Sequence, residues 1–374
     1  MKKKSLSVLL FATLVLSALI SIPAMAESSI KIVVQLKGGL DVGQHLQAAI
    51  NDTETFAEWH VVFNDLNSTD LTGADMLILI QSDMSVNYTQ DELDAVYAWY
   101  QESGKTLWVA ADSDFSDQYM RVPTANEMLE KVGSRLRAEN AEAADPTSNG
   151  GAPYRVLGVS DYCDEEVDFL VEGVERALFH GPGLIIGYED GAYTKLESSS
   201  LDNVYVIMTT STDGIIEEYT EPQPEIHEVG NEGTFPLMVL EVMDNGNALF
   251  ATADSPFAHY TPMYSPEIAK PDRYGVEYPQ QGATLFQNIV SYAKSTVKSG
   301  LNYKIIELGY EIDGLENEVS NLENDKTALQ SEKATLESDL DAANGQVGTW
   351  QMYAGLALLI GLIVGVLVGP MIKK

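Results

Sequence analysis

Residues 74–111 decide the fold: Ala74-Asp75-Met76-Leu77-Ile78-Leu79-Ile80, then Thr89-Gln90-Asp91-Glu92-Leu93, then Gly104-Lys105-Thr106-Leu107-Trp108-Val109-Ala110-Ala111. The outer two runs are apolar at consecutive positions, which suits strands covered on both faces. Between them, Thr89 followed three residues later by Glu92 is a capping box. Leu93, Val96, Tyr97 and Tyr100 then share one side of a helix that Gly104 ends. Strand, helix and strand at this spacing predict a parallel sheet with right-handed crossovers.

The pattern extends both ways. Upstream, Ile30–Leu36 reads as a first strand, Val42–Asn51 as a helix and Trp59–Phe63 as a second strand. Downstream, a helix is expected over Asn126–Asn140, and Ala141–Gly151 is small and polar enough for a joint. Residues 150–245 read as a β-rich part of short strands and turns with one helix at Asp164–Leu178. Strand Ala248–Thr252 follows, and a helix Gly282–Lys294 closes the domain with Leu285, Phe286, Ile289, Val290 and Ala293 inward. The expectation is an α/β domain over 27–300 with a mostly parallel sheet.

Charge narrows the function. The 374 residues carry 22 Lys+Arg against 56 Asp+Glu, a formal charge of −34. Phosphate binding needs a cationic face, so nucleic acid is not an expected partner. Cys163 is the one cysteine, which rules out an internal disulfide and a Cys-based zinc site.

The two ends predict a topology. Lys2-Lys3-Lys4, the apolar run Leu6–Ile20 and Ala24-Met25-Ala26 have the layout of a secretory signal peptide over 1–26. Tyr353–Ile372 carries no charge, and as a helix of roughly 30 Å it matches a bilayer core. With Trp350 at its start, the span is placed at 350–372, and Lys373-Lys374 puts the C-terminus in the cytoplasm. The expected product is a single-pass membrane protein with an extracellular N-terminal domain.

Between domain and span, residues 304–347 repeat in heptads. Leu308, Leu315, Leu322, Leu329 and Leu336 occupy d, while Ile312, Val319, Lys326, Lys333, Leu340 and Val347 occupy a. Leu at d with β-branched a residues favours a parallel two-stranded coil, and lysines at a help fix its register. Ala357, Gly361, Gly365 and Gly369 recur every four residues in the span, a spacing that lets helix backbones approach. A parallel homodimer through a coiled-coil stalk is the expectation, with Gly345 and Gly348 as a joint.

Tyr88-Thr89-Gln90-Asp91-Glu92-Leu93, Trp99, Gly104–Val109 and the late Phe250-Ala251-Thr252-Ala253-Asp254-Ser255-Pro256-Phe257 resemble class I glutamine-amidotransferase-like domains. The resemblance is to the non-enzymatic branch found in auxiliary proteins of gliding-type ABC transporters and in the GIFT domain of intraflagellar-transport proteins. It covers residues 30–300, least typically over 150–245, and implies a flavodoxin-like α/β head. Active members place a Cys on a strand-to-helix turn; here that strand runs into Asp112-Ser113-Asp114, so the resemblance implies a head that is not an enzyme. The stalk-and-anchor layout is similar to the anchors of archaeal surface layers.

Open α/β sheets bind ligands beyond the carboxyl ends of their strands. Asp112, Ser113 and Asp114 follow one strand, and Asp254 and Ser255 follow another, with His259 close by in sequence. These are the candidate ligand-binding residues. Asp112, Asp114 and Asp117 supply oxygens of the kind that hold Ca²⁺ or Mg²⁺; the plainer reading is that the acids and serines serve turns and caps, and no cofactor is expected. Asn51, Asn67 and Asn87 begin glycosylation sequons. The functional expectation is a membrane-anchored surface protein presenting a non-catalytic binding or scaffold head to an envelope partner. An auxiliary or substrate-receptor subunit of an ABC-type transporter is the alternative, and a hydrolase the third reading.

Overall fold

The computed structural model describes residues 29–37, 43–81, 87–113, 121–217, 221–257, 262–264 and 280–372. The expected signal peptide, the start of the first expected helix, and Asp114, Asp117 and His259 lie outside the described residues. The chain forms two units, residues 1–304 and residues 305–374.

The first unit is an α/β domain. Its elements begin β1 (Ile30–Lys37), α1 (Gly43–Thr53), β2 (Ala57–Val62), β3 (Met76–Gln81), α2 (Gln90–Tyr100) and β4 (Thr106–Ala110). They continue with α3 (Arg121–Lys131), β5 (Leu136–Glu139), β6 (Ala143–Ala144), β7 (Arg155–Val159) and β8 (Arg176–His180). Then come β9 (Leu184–Glu189), β10 (Ala192–Thr194), β11 (Val204–Thr209), β12 (Ile215–Ile216), β13 (Pro236–Val242), β14 (Ala248–Thr252) and the long α4 (Gly282–Ile372).

Among the described residues nine strands make the main sheet, in the order β2-β1-β3-β4-β14-β13-β11-β7-β8. The pairs from β2 to β14 are parallel, as the strand–helix–strand spacing predicts. From β14 to β8 every pair is antiparallel, so the sheet is mixed rather than mostly parallel. For β13–β14 the reason is connection length: the two strands are joined by a tight turn in which Met243 N–H donates to Asn247 O (2.8 Å). A parallel pair needs a crossover of a dozen or more residues.

Two expected helices are shorter than their patterns suggest. α3 stops at Lys131 and Leu136–Glu139 becomes β5, which pairs with β9 in a small second sheet. Asp164–Leu178 yields only a 3₁₀ stretch, Glu165–Val171, before β8. In both places a glycine with positive φ (Gly133, +80°; Gly173, +74°) breaks the helix, a conformation that costs other residues more.

The core forms where the strands predict it. β4 is buried throughout, and Trp108 packs against Phe250 (centroids 6.0 Å) and Phe286 of α4 (5.8 Å). Leu285, Phe286, Ile289, Val290 and Ala293 are all fully buried. On α2 both capping-box bonds form. The buried face is Leu93, Val96, Trp99 and Tyr100, whereas Tyr97, expected inward, is exposed beneath Lys131 Nζ. Trp99 takes the inward position and donates its indole N–H to Ala74 O (2.9 Å).

In the second unit, α4 is helical through Gly345 and Gly348, so the expected joint is not a break. The apolar a and d side chains from Leu308 to Val347 are 47–64% exposed. The same helix holds one segment long and apolar enough to cross a membrane, and its side chains from Trp350 to Val364 are solvent-facing.

Candidate functional site

β4 and β14 are parallel neighbours with Ala110 opposite Thr252, and the pairing continues one step as Ala111 N–H donates to Thr252 O (2.8 Å). Two residues past each strand stand Asp112 and Asp254. The topology thus brings two acids, 142 positions apart in sequence, to the carboxyl edge of the parallel half, where open sheets place ligands.

Asp112 Oδ2 is ion-paired with the guanidinium of Arg121, the first residue of α3, and Oδ1 accepts from Ser113 N–H (2.8 Å). Asp254 accepts from Ser255 N–H (2.7 Å) and from His180 N–H (2.8 Å). The Gly181-Pro182-Gly183 turn after β8 closes over this edge, with Gly183 N–H donating to Ala253 O (3.1 Å). A Cβ on Gly183 would lie 2.7 Å from Asp112 O, so only glycine fits that approach.

Both acids are held above the ordinary carboxylate range. Burial is the main cause in each; the charge of Asp112 raises Asp254 further, and Arg121 works against the rise in both. Two carboxylates this close cannot both ionise easily. The arrangement is a pair of buried acids at one sheet edge, with Asp112 ion-paired to Arg121 and Asp254 raised by the charge of Asp112.

The remaining predicted residues divide. Ser113 lies between the acid and the undescribed segment and is buried. Ser255 serves its own turn, donating to Phe257 O (2.5 Å) and accepting from Phe257 N–H (3.2 Å). His180 contributes its backbone amide while its ring packs edge-on against Tyr154. Among the described residues no group of three or more His, Cys, Asp or Glu is arranged to hold a metal ion. Half-buried Cys163 has its thiol pushed up to about 12 by burial and by Asp164 and Asp168, which opposes thiolate chemistry.

The three sequons differ. Thr53 of the first is fully buried, its hydroxyl donating to Ala49 O and accepting from Trp59 Nε1–H. Thr89 of the third is the N-cap of α2, and Asn87 Oδ1 accepts from Thr124. Asn67, Ser68 and Thr69 are all exposed, with Asn67 Oδ1 accepting from Thr69 N–H (2.9 Å).

Sequence reasoning missed Arg121 and a second centre. His227, 3% exposed, lies between Glu139 Oε2 and Glu197 Oε1 (2.8 Å to the latter). Burial opposes its charge, but bonds to both carboxylates outweigh burial and push the imidazole up to about 9. Glu139 also accepts from Ile226 N–H and His227 N–H (2.8 and 2.9 Å). At the end of β1, buried Lys37 pairs with Glu92 and with Asp65 (2.9 Å to the latter). These partners lie 88, 30, 55 and 28 positions apart, with no local motif to announce them.

No family model and no curated protein matches the chain. Among solved structures, it is similar to a putative GMP synthase subunit from Thermoplasma acidophilum. That match has 13% identity and a TM-score of 0.33, covering 71% of this chain and 95% of that one. It is also similar to PurLQS from Thermotoga maritima, at 13% identity and a TM-score of 0.30, covering 71% of this chain and 99% of that one.

Proposed function

We propose that this chain is an exported, membrane-anchored surface protein whose amidotransferase-like head binds a ligand or envelope partner without chemical turnover, on a paired coiled-coil stalk. The observation that carries the reading is the exit of β4. Where acyl transfer on this architecture would need an activated thiolate, the chain has Asp112, committed to Arg121. Its one thiol is elsewhere and strongly disfavours ionisation. The membrane-length apolar segment of α4 supports the anchor, and the exposed heptad face supports the stalk. In a host that glycosylates exported asparagine, Asn67 is the sequon that carries the sugar.

Crosslinking on intact membranes, followed by pull-down of the full chain, tests the reading. A partner held by the wild type and released by Asp112→Asn or Asp254→Asn supports it. Protease that spares the head on intact cells but removes it from inverted vesicles overturns the topology. Recovery of a permease and an ATPase moves the assignment to a transporter auxiliary. The raised acids favour one second reading, general acid–base hydrolysis; substrate turnover by the purified head, lost in either Asn variant, establishes it in place of the first.

A further inference from the structure

The heptad positions of the stalk carry a charge pattern that the apolar stripe alone does not reveal. With a at 312, 319, 326, 333 and 340, the g positions are Glu311, Glu318, Asp325, Glu332 and Asp339, and the e positions include Glu316, Glu323 and Glu337. Eight of the eleven acids in 304–347 therefore border the seam, while Lys326 and Lys333 lie within it. The described members of this set are exposed in the single chain, where Lys333 Nζ stands 3.6 Å from Glu337.

In a parallel, in-register pair, residue g of one helix meets e of the next heptad on its partner. The pairs Glu311–Glu316, Glu318–Glu323 and Glu332–Glu337 would then oppose acid to acid. Asp325–Gln330 and Asp339–Asn344 add no cation. Each a knob also packs beside the partner's preceding g residue. That contact sets Lys326 against Asp325 and Lys333 against Glu332, twice each by symmetry. The two seam lysines, which cost hydrophobic contact, are thus the counter-ions of the flanks.

Resting on the paired-stalk reading above, we propose that the occupant of this stripe is a second copy of the chain and that ionic strength controls the pairing. At low salt the flanks repel and the copies separate. Once the screening length falls below the distance between flanking carboxylates, the leucine seam closes. The charge pattern selects a second copy because the lysine–acid contacts arise only when identical helices meet in register, and shared membrane anchoring supplies that alignment.

The test uses the full chain in its membrane, with Cys163→Ser as background and Leu315→Cys as reporter. An in-register parallel pair brings the two reporters together; an antiparallel pair separates them. Disulfide yield is expected to rise about threefold or more between 0.01 and 0.5 M NaCl as screening shortens from roughly 30 Å to a few ångströms. Replacing Glu311, Glu316, Glu318 and Glu323 by glutamine, which neutralises two of the acid–acid pairs and leaves Asp325 to Lys326, is expected to give high yield at both salts, separating charge screening from any general effect of salt on apolar contacts. Lys326→Leu with Lys333→Leu is expected to exceed the wild type at high salt and to lose that advantage at low salt. Wild-type yield that is high and flat with salt overturns the salt control and leaves the paired stalk standing. No crosslink in any variant at any salt overturns both.

Discussion

Two of the charged centres described in the head are assembled from the same parts, a pair of acids and one cation. In the first, Arg121 is ion-paired with Asp112, while Asp254 is served by the backbone amides of Ser255 and His180. In the second, His227 is hydrogen-bonded to both Glu139 and Glu197. Their protons settle differently. Around Arg121 the acids rise, burial being the main cause. Around His227 the imidazole rises and Glu197, despite burial, is pulled below the usual range. A cation hydrogen-bonded to both acids keeps charge in the interior around His227; at the other centre Asp254, buried and facing the charge of Asp112, is the acid that takes up a proton. The first arrangement suits a site that exchanges protons or polar ligands, and the second suits a clasp.

If the His227 centre is a clasp, breaking it has the largest effect. Glu139→Ala leaves His227 with one carboxylate and orphans the amides of Ile226 and His227. Removing one partner of a buried ion pair costs about 3–5 kcal/mol. Chemical denaturation of the head should show a loss of that size; a loss under about 1 kcal/mol would make the pair dispensable and end the contrast.

The next effect is on pH. His227 has a folded value of about 9 against an ordinary value near 6.5. Its stabilising contribution is therefore complete below about 6.5 and disappears as pH rises to about 9, a change on the order of 3 kcal/mol. The raised acids act in the same direction, because the folded state holds protons that the unfolded chain releases. Melting temperature should fall from pH 6 to pH 9 and flatten substantially in His227→Gln. A profile that rises across that window contradicts the assigned charge state.

The contrast also separates what sequence discloses from what it conceals. The parallel half was legible because its signals are local: consecutive apolar runs, the Thr89–Glu92 capping box, and a closing helix whose five inward residues are all buried. The strand exits at Asp112 and Asp254 were legible by the same logic. The antiparallel half was not. β5 and β8 lie inside patterns with helical periodicity, and only Gly133 and Gly173, read as breaks, point to the change of element. Arg121, His227 and Glu139 were invisible because buried charge partners are chosen by three-dimensional proximity, with 88 residues between the last two. Tyr97 was misplaced for a subtler reason: its spacing from Leu93 and Tyr100 is also helical, but the buried face runs through Glu92, Leu93, Val96, Trp99 and Tyr100.

The smallest expected effect sharpens the first centre. Asp254→Asn replaces an acid that already carries a proton through much of the neutral range by a group of the same shape. The amide oxygen can still accept from Ser255 or His180, so the cost should stay within about 1 kcal/mol. Because Asp254 still holds its proton where Asp112 titrates, the substitution should leave the titration of Asp112 seen by carboxyl NMR nearly unchanged. Asp112→Asn is less benign, because it takes the ionised partner from Arg121; a hydrogen bond to a charged group is worth about 1.5–3 kcal/mol. The ordering of the two variants matters more than either value. If Asp254→Asn proves the more costly, the proton does not reside on Asp254, and the ionised member of the pair is the one beside His180 rather than the one beside Arg121.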